Sequence, residues 1–160
     1  MDPKQGLIVR GSMGVEKISL HLQARNAEEV LKELVGLIEE IKDIPGASAK
    51  LLEALKEREK LCSTGVGDGV AFPHCRNALV GLVKTPVVVF GRHKGGVPYG
   101  AIDSAPAQLF FLVIAPSVST HLQILARLGR MVRDNRFRQS LLNANSPQDI
   151  LDLIEKAEMI

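Results

Sequence analysis

The alternation of apolar and polar residues along the chain predicts several β-strands. Residues 15–22 (VEKISLHL) alternate in this way, which is typical of a strand with one buried face. Residues 108–115 (QLFFLVIA) are continuously apolar, as expected of a central strand that is covered on both faces. Shorter strand-like segments lie at residues 70–72, 79–83 and 86–92.

Apolar residues at helical spacing predict helices between and after these strands. The predicted helices run from Asn26 to before Pro45, over residues 47–60, 118–133 and 135–144, and from Ser146 onward. The inner stripe of the helix at 118–133 is predicted to be Leu122, Leu125, Leu128 and Val132. The order of the elements predicts an α/β fold: a single domain with a mixed β-sheet flanked by helices.

Length, charge and cysteine content narrow the class of protein. The chain has 160 residues, of which 46% are apolar, so it can bury one sizeable core. A net charge of +2 gives no reason to expect nucleic acid as a partner. No apolar run reaches the roughly 18 residues that span a bilayer, so we expect no direct membrane insertion. The two cysteines, Cys62 and Cys75, do not form a secreted disulfide framework, and they favour a cytoplasmic location.

The first 14 residues are predicted to lie outside the domain. Residues 1–14 (MDPKQGLIVRGSMG) are expected to be a flexible tail. The Gly-Ser-Met sequence at 11–13 is typical of an added tag, which would place the native start at Met13. The domain itself is predicted over residues 15–160.

The most distinctive segment of the sequence is STGVGDGVAFPHCR, which spans residues 63–76. Glycine occupies every second position at Gly65, Gly67 and Gly69, before a short apolar run that stops at Pro73. A dinucleotide fingerprint needs a strand before the glycines and a helix after them, and neither is predicted. The Gly-Lys-Ser/Thr of a Walker A loop is absent. We therefore expect the glycines to provide backbone freedom and close approach, with no nucleotide cofactor.

His74, at the end of this segment, is the strongest candidate for chemistry. Metal binding is disfavoured because adjacent His74 and Cys75 do not readily share a tetrahedral site, and no C-x-x-C or H-E-x-x-H spacing occurs. Catalysis by Cys75 with its neighbour is also disfavoured, since adjacent residues in an extended segment point in opposite directions. An unprotonated imidazole nitrogen can carry a phosphoryl group, which remains one hypothesis among several on spacing alone.

Phosphoryl transfer would need positive charge or N–H donors around the phosphate oxygens. Arg58 continues the apolar stripe of the helix at 47–60, so it either points towards the body of the protein near the helix end or covers the stripe with its aliphatic stem. His121 lies in the first turns of the helix at 118–133. Residues 121–140 hold five arginines, which either form a solvated basic face or attract acidic partners: Arg127, Arg130, Arg133, Arg136 and Arg138.

Two segments resemble a known family. LKEREKLCSTGVGDGVAFPHCR resembles the active-site signature of fructose/mannitol-type (type 2) enzyme IIA domains of the bacterial phosphotransferase system, which include nitrogen-regulatory enzyme IIA. HLQILARLGRMVRDNRFRQSLLNANSPQDI resembles the later helical motif of the same family, and the resemblance runs from residue 15 to the end. In the family pattern Asp103 would be followed by glycine, where this chain has Ser104.

The resemblance implies roles for three residues and for protein partners. It implies that His74 is the phosphorylated histidine, through Nε2, and that His121 and Arg58 stabilise the phosphate. The phosphoryl group would arrive from an HPr-like phosphocarrier protein and pass to an enzyme IIB. In the nitrogen-regulatory branch, the phosphorylation state would instead control binding to a transporter, kinase or transcription factor. No cofactor or metal is implied.

Overall fold

One mixed sheet organises the fold. The computed structural model describes residues 6–75 and 82–160, and five strands within them form the sheet in the order β1-β4-β5-β3-β2. Their bounds are Ile18–Ser19 (β1), Gly65–Gly67 (β2), Val70–Ala71 (β3), Val87–Val97 (β4) and Ala107–Ile114 (β5). Strand β5 is parallel to β3 and antiparallel to β4, and β1 is parallel to β4. The predicted mixed sheet and its central apolar strand are confirmed.

Helices cover both faces of this sheet. In the described residues their bounds are Ile8–Gly11 (α1), Ala27–Val35 (α2), Ala47–Leu61 (α3), Val118–Val132 (α4), Asn135–Asn143 (α5) and Pro147–Glu158 (α6), with 3₁₀ turns at Val15–Lys17 and Glu39–Ile41. The predicted N-caps Asn26 and Ser146 accept hydrogen bonds from backbone N–H groups in the first turns of α2 and α6. Ser117 caps α4 in the same way.

Two apolar layers explain why β5 is apolar from Leu109 to Ile114. Phe110, Leu112 and Ile114 pack with α2 and α3 on one face of the sheet. Phe111 and Val113 pack on the other face with α4, α5 and α6. Because successive side chains of a strand point to opposite faces, a strand buried on both sides has no polar position.

Several predicted elements have different bounds. Only Ile18–Ser19 of the predicted strand 15–22 forms a strand beside β4. Leu22 N still donates to Arg92 O in β4, but Leu22 packs in the opposite layer from Ile18. The alternation of apolar and polar residues in 15–22 reflects the burial of the apolar side chains. Helices on both sides of the sheet bury them without continuous strand pairing. Strand β4 extends past the predicted end at residue 92 to Val97. Residues 79–81 of the predicted strand 79–83 lie outside the described residues.

The inner face of α4 is also different from the prediction. Leu122 is exposed, with 59% of its surface accessible, whereas the buried positions are His121, Ile124, Leu128, Met131 and Val132. A helix with leucines on adjacent faces allows two apolar stripes, and the sheet selects between them. The selected stripe turns His121 into the protein.

The prediction of a flexible amino-terminal tail is wrong for residues 6–14. Val9 in α1 is fully buried, and the Glu158 carboxylate accepts hydrogen bonds from Val9 N and Arg10 N, each at 2.9 Å. Ser12 O accepts a hydrogen bond from Val88 N. The partner residues lie far away in the sequence, so local composition gave no sign of this packing. Within residues 6–75 and 82–160, no helix has the length and apolar character needed to cross a membrane.

Candidate functional site

His74 lies where the carboxyl ends of two parallel strands meet. It follows β3 and forms an isolated parallel bridge with Val113, near the end of β5. Val113 N donates to Pro73 O at 3.1 Å, while Pro73 itself has no N–H to continue the ladder. Helix α4 begins four residues after Ile114, at the same end of the sheet. The half-buried His74 side chain is therefore placed beside the start of α4.

The hydrogen bond of His74 determines its neutral tautomer. Nδ1 lies 2.7 Å from Phe72 O, and a carbonyl oxygen only accepts hydrogen bonds, so Nδ1 carries the proton. In the neutral ring, Nε2 then keeps its lone pair. Burial lowers the pKa of His74, the hydrogen bond to Phe72 O opposes this, and the positive charge of Arg58 lowers the pKa further. The net pKa is below its ordinary value, which favours the neutral ring.

His121 lies directly against His74. The two ring centroids are 5.3 Å apart, with an angle of 57° between the planes. His121 is buried in the first turns of α4, with 8% of its surface exposed. Burial lowers its pKa, and the charge of a protonated His74 lowers it further. The pair is thus held in a site that disfavours two protonated rings.

Arg58 reaches the same site from the last turn of α3. Its guanidinium donates to Cys62 O at 2.5 Å, just beyond the end of the helix. The side chain is half-buried, and it lies near enough to His74 for its charge to lower the histidine's pKa. Of the two interpretations of Arg58, this position agrees with the one that points it towards the body of the protein near the helix end. The structure therefore brings His74, His121 and Arg58 to one end of the sheet.

The alternating glycines form strand β2 and the turn after it, where we expected a flexible loop. A Cβ at Gly65 would lie 3.1 Å from Ala101 Cβ, and one at Gly67 would lie 3.2 Å from Asp103 Oδ2. Gly67 also has a φ of +92°, which favours glycine. The connection between β4 and β5 thus packs against the glycine face of β2. The expectation that the glycines permit close approach is confirmed.

Glu59 is a site residue that the sequence analysis did not single out. Its carboxylate accepts hydrogen bonds from Thr64 N at 2.8 Å, Thr64 Oγ1 at 2.6 Å and Tyr99 Oη at 3.3 Å. Its charge raises the pKa of His74, against the effects of burial and Arg58. The available signal was its place beside Arg58 in the Arg-Glu pair of the resemblance.

A family model described as "Phosphoenolpyruvate-dependent sugar phosphotransferase system, EIIA 2" matches residues 13–157. The chain belongs to this family. Over 142 residues the EIIA domain is 34% identical to the fructose-specific EIIA component of Haloferax volcanii, covering 88% of this chain and 90% of that protein. Over 141 residues it is 35% identical to the fructose-specific EIIABC component of Bacillus subtilis. That match covers 87% of this chain and 22% of the longer relative.

The fold of the EIIA domain agrees with this membership. The crystal structure of nitrogen regulatory protein IIA-Ntr from Neisseria meningitidis superimposes with a TM-score of 0.81 and 28% sequence identity. The superposition covers 91% of this chain and 98% of that one. Sugar-specific and nitrogen-regulatory relatives therefore both match, and EIIA domains are in general phosphoryl carriers of the phosphotransferase system.

Cys75 of the EIIA domain is a packing residue, as expected. It is 7% exposed and belongs to the apolar layer of α2 and α3, whereas Phe72 belongs to the layer of α4. Burial raises the pKa of the Cys75 thiol to about 11, so it carries no thiolate near neutral pH. Among the described residues, no group of three or more His, Cys, Asp or Glu side chains is arranged to hold a metal ion.

The five arginines of α4 and α5 are only partly available to a partner. Arg127 binds the Glu158 carboxylate at 3.0 Å, Arg130 donates to Ile160 O at 2.5 Å, and Arg138 donates to Val132 O at 2.6 Å. Arg133 and Arg136 are exposed. Three of the five arginines are therefore bound to groups within the EIIA domain.

Proposed function

We propose that this EIIA domain carries a phosphoryl group on Nε2 of His74, taking it from an HPr-like phosphocarrier protein and passing it to an enzyme IIB. The observation that supports this most directly is the hydrogen bond from Nδ1 to Phe72 O, which leaves the Nε2 lone pair as the nucleophile. The lowered pKa of His74 keeps that lone pair unprotonated near neutral pH.

In the first transfer, Nε2 attacks the phosphorus of the donor's phosphohistidine. The new Nε2–P bond forms as the donor's N–P bond breaks, and the donor imidazole leaves with the bonding electron pair. The attacking ring becomes positively charged, and Phe72 O stabilises that charge through the Nδ1 proton. Arg58 and His121 are placed beside His74 and would stabilise the negative phosphoryl oxygens. In the second transfer, a cysteine thiolate of enzyme IIB attacks the phosphorus. The S–P bond forms as the Nε2–P bond breaks, and the His74 ring keeps the bonding electron pair and becomes neutral again.

Phosphorylation in a defined mixture tests this proposal. The EIIA domain is incubated with enzyme I, HPr and labelled phosphoenolpyruvate, and the acid-labile, alkali-stable label is measured. We expect labelling of the wild-type domain and none of His74→Ala. His21→Ala is the matched control, because His21 is an exposed histidine outside the motif at residues 63–76. An unlabelled wild type, or equal labelling of His74→Ala, contradicts the proposal.

A second candidate function is regulatory, and the similarity to IIA-Ntr of Neisseria meningitidis supports it. On this hypothesis the phosphorylation state of His74 controls binding to a transporter, kinase or transcription factor. A phosphoryl group adds roughly two negative charges to a surface where the charge of Arg58 already acts on His74, and this would alter partner binding. Pull-downs with His74→Ala and the His74→Asp mimic test this hypothesis. Different partner sets support regulation, and identical sets contradict it.

A further inference from the structure

A chain of hydrogen bonds connects the end of α3 to the imidazole of His74. The Glu59 carboxylate binds Thr64 through both its backbone N–H and its hydroxyl. Thr64 O accepts a hydrogen bond from Phe72 N at 3.0 Å. Phe72 O then accepts the hydrogen bond from His74 Nδ1 at 2.7 Å. Each link holds the next, so the position of Glu59 is transmitted to the ring that we propose as the nucleophile.

Glu59 is itself held by a second, buried contact. Tyr99 Oη donates to its carboxylate at 3.3 Å, and Tyr99 is 5% exposed, with its ring packed edge-on against Phe110 in the central strand. Ser63 Oγ donates to Tyr99 O, and this bond joins the segment before β2 to the connection between β4 and β5, where Tyr99 lies. The carboxylate is therefore fixed between the glycine strand and the core of the sheet.

Arg58 and Glu59 are consecutive residues in the last turn of α3. Because they share one stretch of backbone, a contact that fixes Glu59 also limits where Arg58 can lie. Arg58 adds a hydrogen bond to Cys62 O, which keeps its guanidinium at the end of the helix. The last turn of α3 thus holds both residues. The Arg58 side chain extends from it towards His74, and the Glu59 side chain binds Thr64.

We propose that Glu59 is a positioning residue that sets the location of His74 relative to Arg58, by anchoring Thr64 and Tyr99 to the last turn of α3. Its effect on phosphoryl transfer rests on the proposed function, whereas its effect on the His74 ring does not. Reacting groups lose rate steeply when they move by a fraction of an ångström, so the anchor contributes to rate without touching the phosphate.

Titration of His74 distinguishes loss of the Glu59 anchor from general loosening of the structure. The two should change the pKa of His74 in opposite directions. Among the described residues, the titratable and charged groups that act on His74 are Arg58 and Glu59 from α3 and His121 from α4. Burial lowers the pKa of His74, while Glu59 and the Phe72 hydrogen bond raise it. Losing the Glu59 charge and weakening the Phe72 bond should both lower the pKa further. Loosening that exposes the ring would instead raise it.

The first experiment compares Glu59→Gln with Glu57→Gln. Each removes one carboxylate next to Arg58, but Glu57 is exposed and Glu59 is part of the hydrogen-bond chain. The pKa and tautomer of His74 are measured by ¹H–¹⁵N NMR titration. We expect a lower His74 pKa and partial loss of the Nδ1–H tautomer in Glu59→Gln only. An unchanged or raised pKa in Glu59→Gln, or the same shift in Glu57→Gln, overturns the proposal.

The second experiment measures phosphoryl uptake from phosphorylated HPr in a double-mutant cycle of Glu59→Gln and Thr64→Val. Each single variant should slow uptake by about tenfold, and the double variant should be little slower than either. Additive effects would show that the two residues act independently, which overturns the proposal. Thr64→Val removes only the hydroxyl donor, so it also provides the result if Glu59→Gln does not fold.

The two proposals fail in distinguishable ways. If wild-type EIIA domain takes up no phosphate, yet Glu59→Gln still shifts the His74 titration as expected, the phosphoryl-carrier function is wrong and the positioning role stands. If wild type is phosphorylated at the same rate and with the same His74 titration as Glu59→Gln, the positioning role is wrong and the carrier function stands.

Discussion

Two arginines at opposite ends of the sheet differ in their burial and in the groups that they contact. Arg92 in β4 pairs with Leu109 in β5, four residues before Val113, which pairs with His74. Arg92 is 2% exposed and donates to four backbone carbonyl oxygens, those of Leu20, Leu141, Leu142 and Ala144. Arg58 is half-buried and donates to Cys62 O.

The two arginines differ in whether the charge of the guanidinium group can still act on a ligand. Arg92 closes the end of α5, whose last carbonyl groups have no partner within the helix, and burial lowers its pKa. Its planar donors are committed to fixed acceptors, so it serves the fold. Arg58 also caps a helix end, but its charge extends over His74. Incomplete burial beside a titratable group therefore distinguishes Arg58, which we propose as a phosphate-stabilising residue, from Arg92, which is fully buried among carbonyl groups.

The largest expected effect is on stability at the Arg92 end. Arg92→Met should lower the free energy of unfolding by about 3 kcal/mol or more, because it leaves several buried carbonyl oxygens without a donor. Urea unfolding followed by circular dichroism measures this. The control is Arg133→Met, which makes the same change at an exposed position and should alter stability by less than about 0.5 kcal/mol. Equal stability of the two variants would contradict a structural role for Arg92.

Arg58→Met should give the reverse pattern. We expect phosphoryl uptake from phosphorylated HPr to slow by about a hundredfold, since a positive donor is lost beside the phosphate. The free energy of unfolding should change by less than about 1 kcal/mol, because the side chain is half-exposed. Removing the charge should also raise the pKa of His74, which NMR titration detects. Loss of stability without loss of rate would place Arg58 in the same class as Arg92.

The histidine end of the sheet should make stability depend on pH, whereas Arg92 should not titrate in this range. Unfolded histidines titrate near 6.5, and the pKa values of His74 and His121 are lowered in the fold, mainly by burial. As the pH falls, the unfolded chain therefore binds more protons than the folded chain does. The free energy of unfolding should decrease below about pH 6.5 for this reason.

Urea unfolding at intervals between about pH 8 and about pH 5 measures this slope. The double variant His74→Gln, His121→Gln should have a shallower slope than wild type. An identical slope in the double variant would assign the pH dependence to other groups.

The smallest effect is expected in the connection that covers the glycine strand. Ser104 has a φ of +60°, a conformation that costs a non-glycine residue about 1 kcal/mol. Ser104→Gly should therefore raise the free energy of unfolding by about 0.5–1 kcal/mol, and Ser104→Ala should not. Thermal unfolding of the three proteins compares them. A Ser104→Gly variant no more stable than Ser104→Ala would indicate that the serine hydroxyl, and not backbone conformation, governs this turn.

The local features of the fold were predictable because they depend on neighbours in sequence. Asn26 and Ser146 begin helices through hydrogen bonds within one turn, and the apolar run at 108–115 needs only burial on both faces. The same holds for Cys75, since side chains alternate in an extended segment. Features that depend on distant contacts were not predictable. These include the pairing of only two residues in 15–22, and the burial of Val9 against the carboxyl-terminal helix.

The candidate site shows the same division. The family resemblance identified His74, His121 and Arg58 as candidate site residues. Helical spacing left the direction of the Arg58 side chain open, and it assigned the exposed Leu122 to the inner face of α4. Glu59 was passed over because an acidic residue near a helix end is ordinary in sequence. Its importance arises from Thr64 and Tyr99, which approach it only in the folded chain.

The sequence alone determined the class of fold, the family, and a chain of motif residues that ends at His74. The class of fold follows from periodicity, capping and turn chemistry, which act over a few residues, whereas the family and the motif residues follow from the resemblance of two segments. The tertiary structure decided which nitrogen of His74 is free, which face of α4 carries His121 inward, and why glycine is needed at every second position of β2. Those outcomes depend on close approach between segments that lie tens of residues apart, and only the packed sheet with its two helical layers brings those segments together.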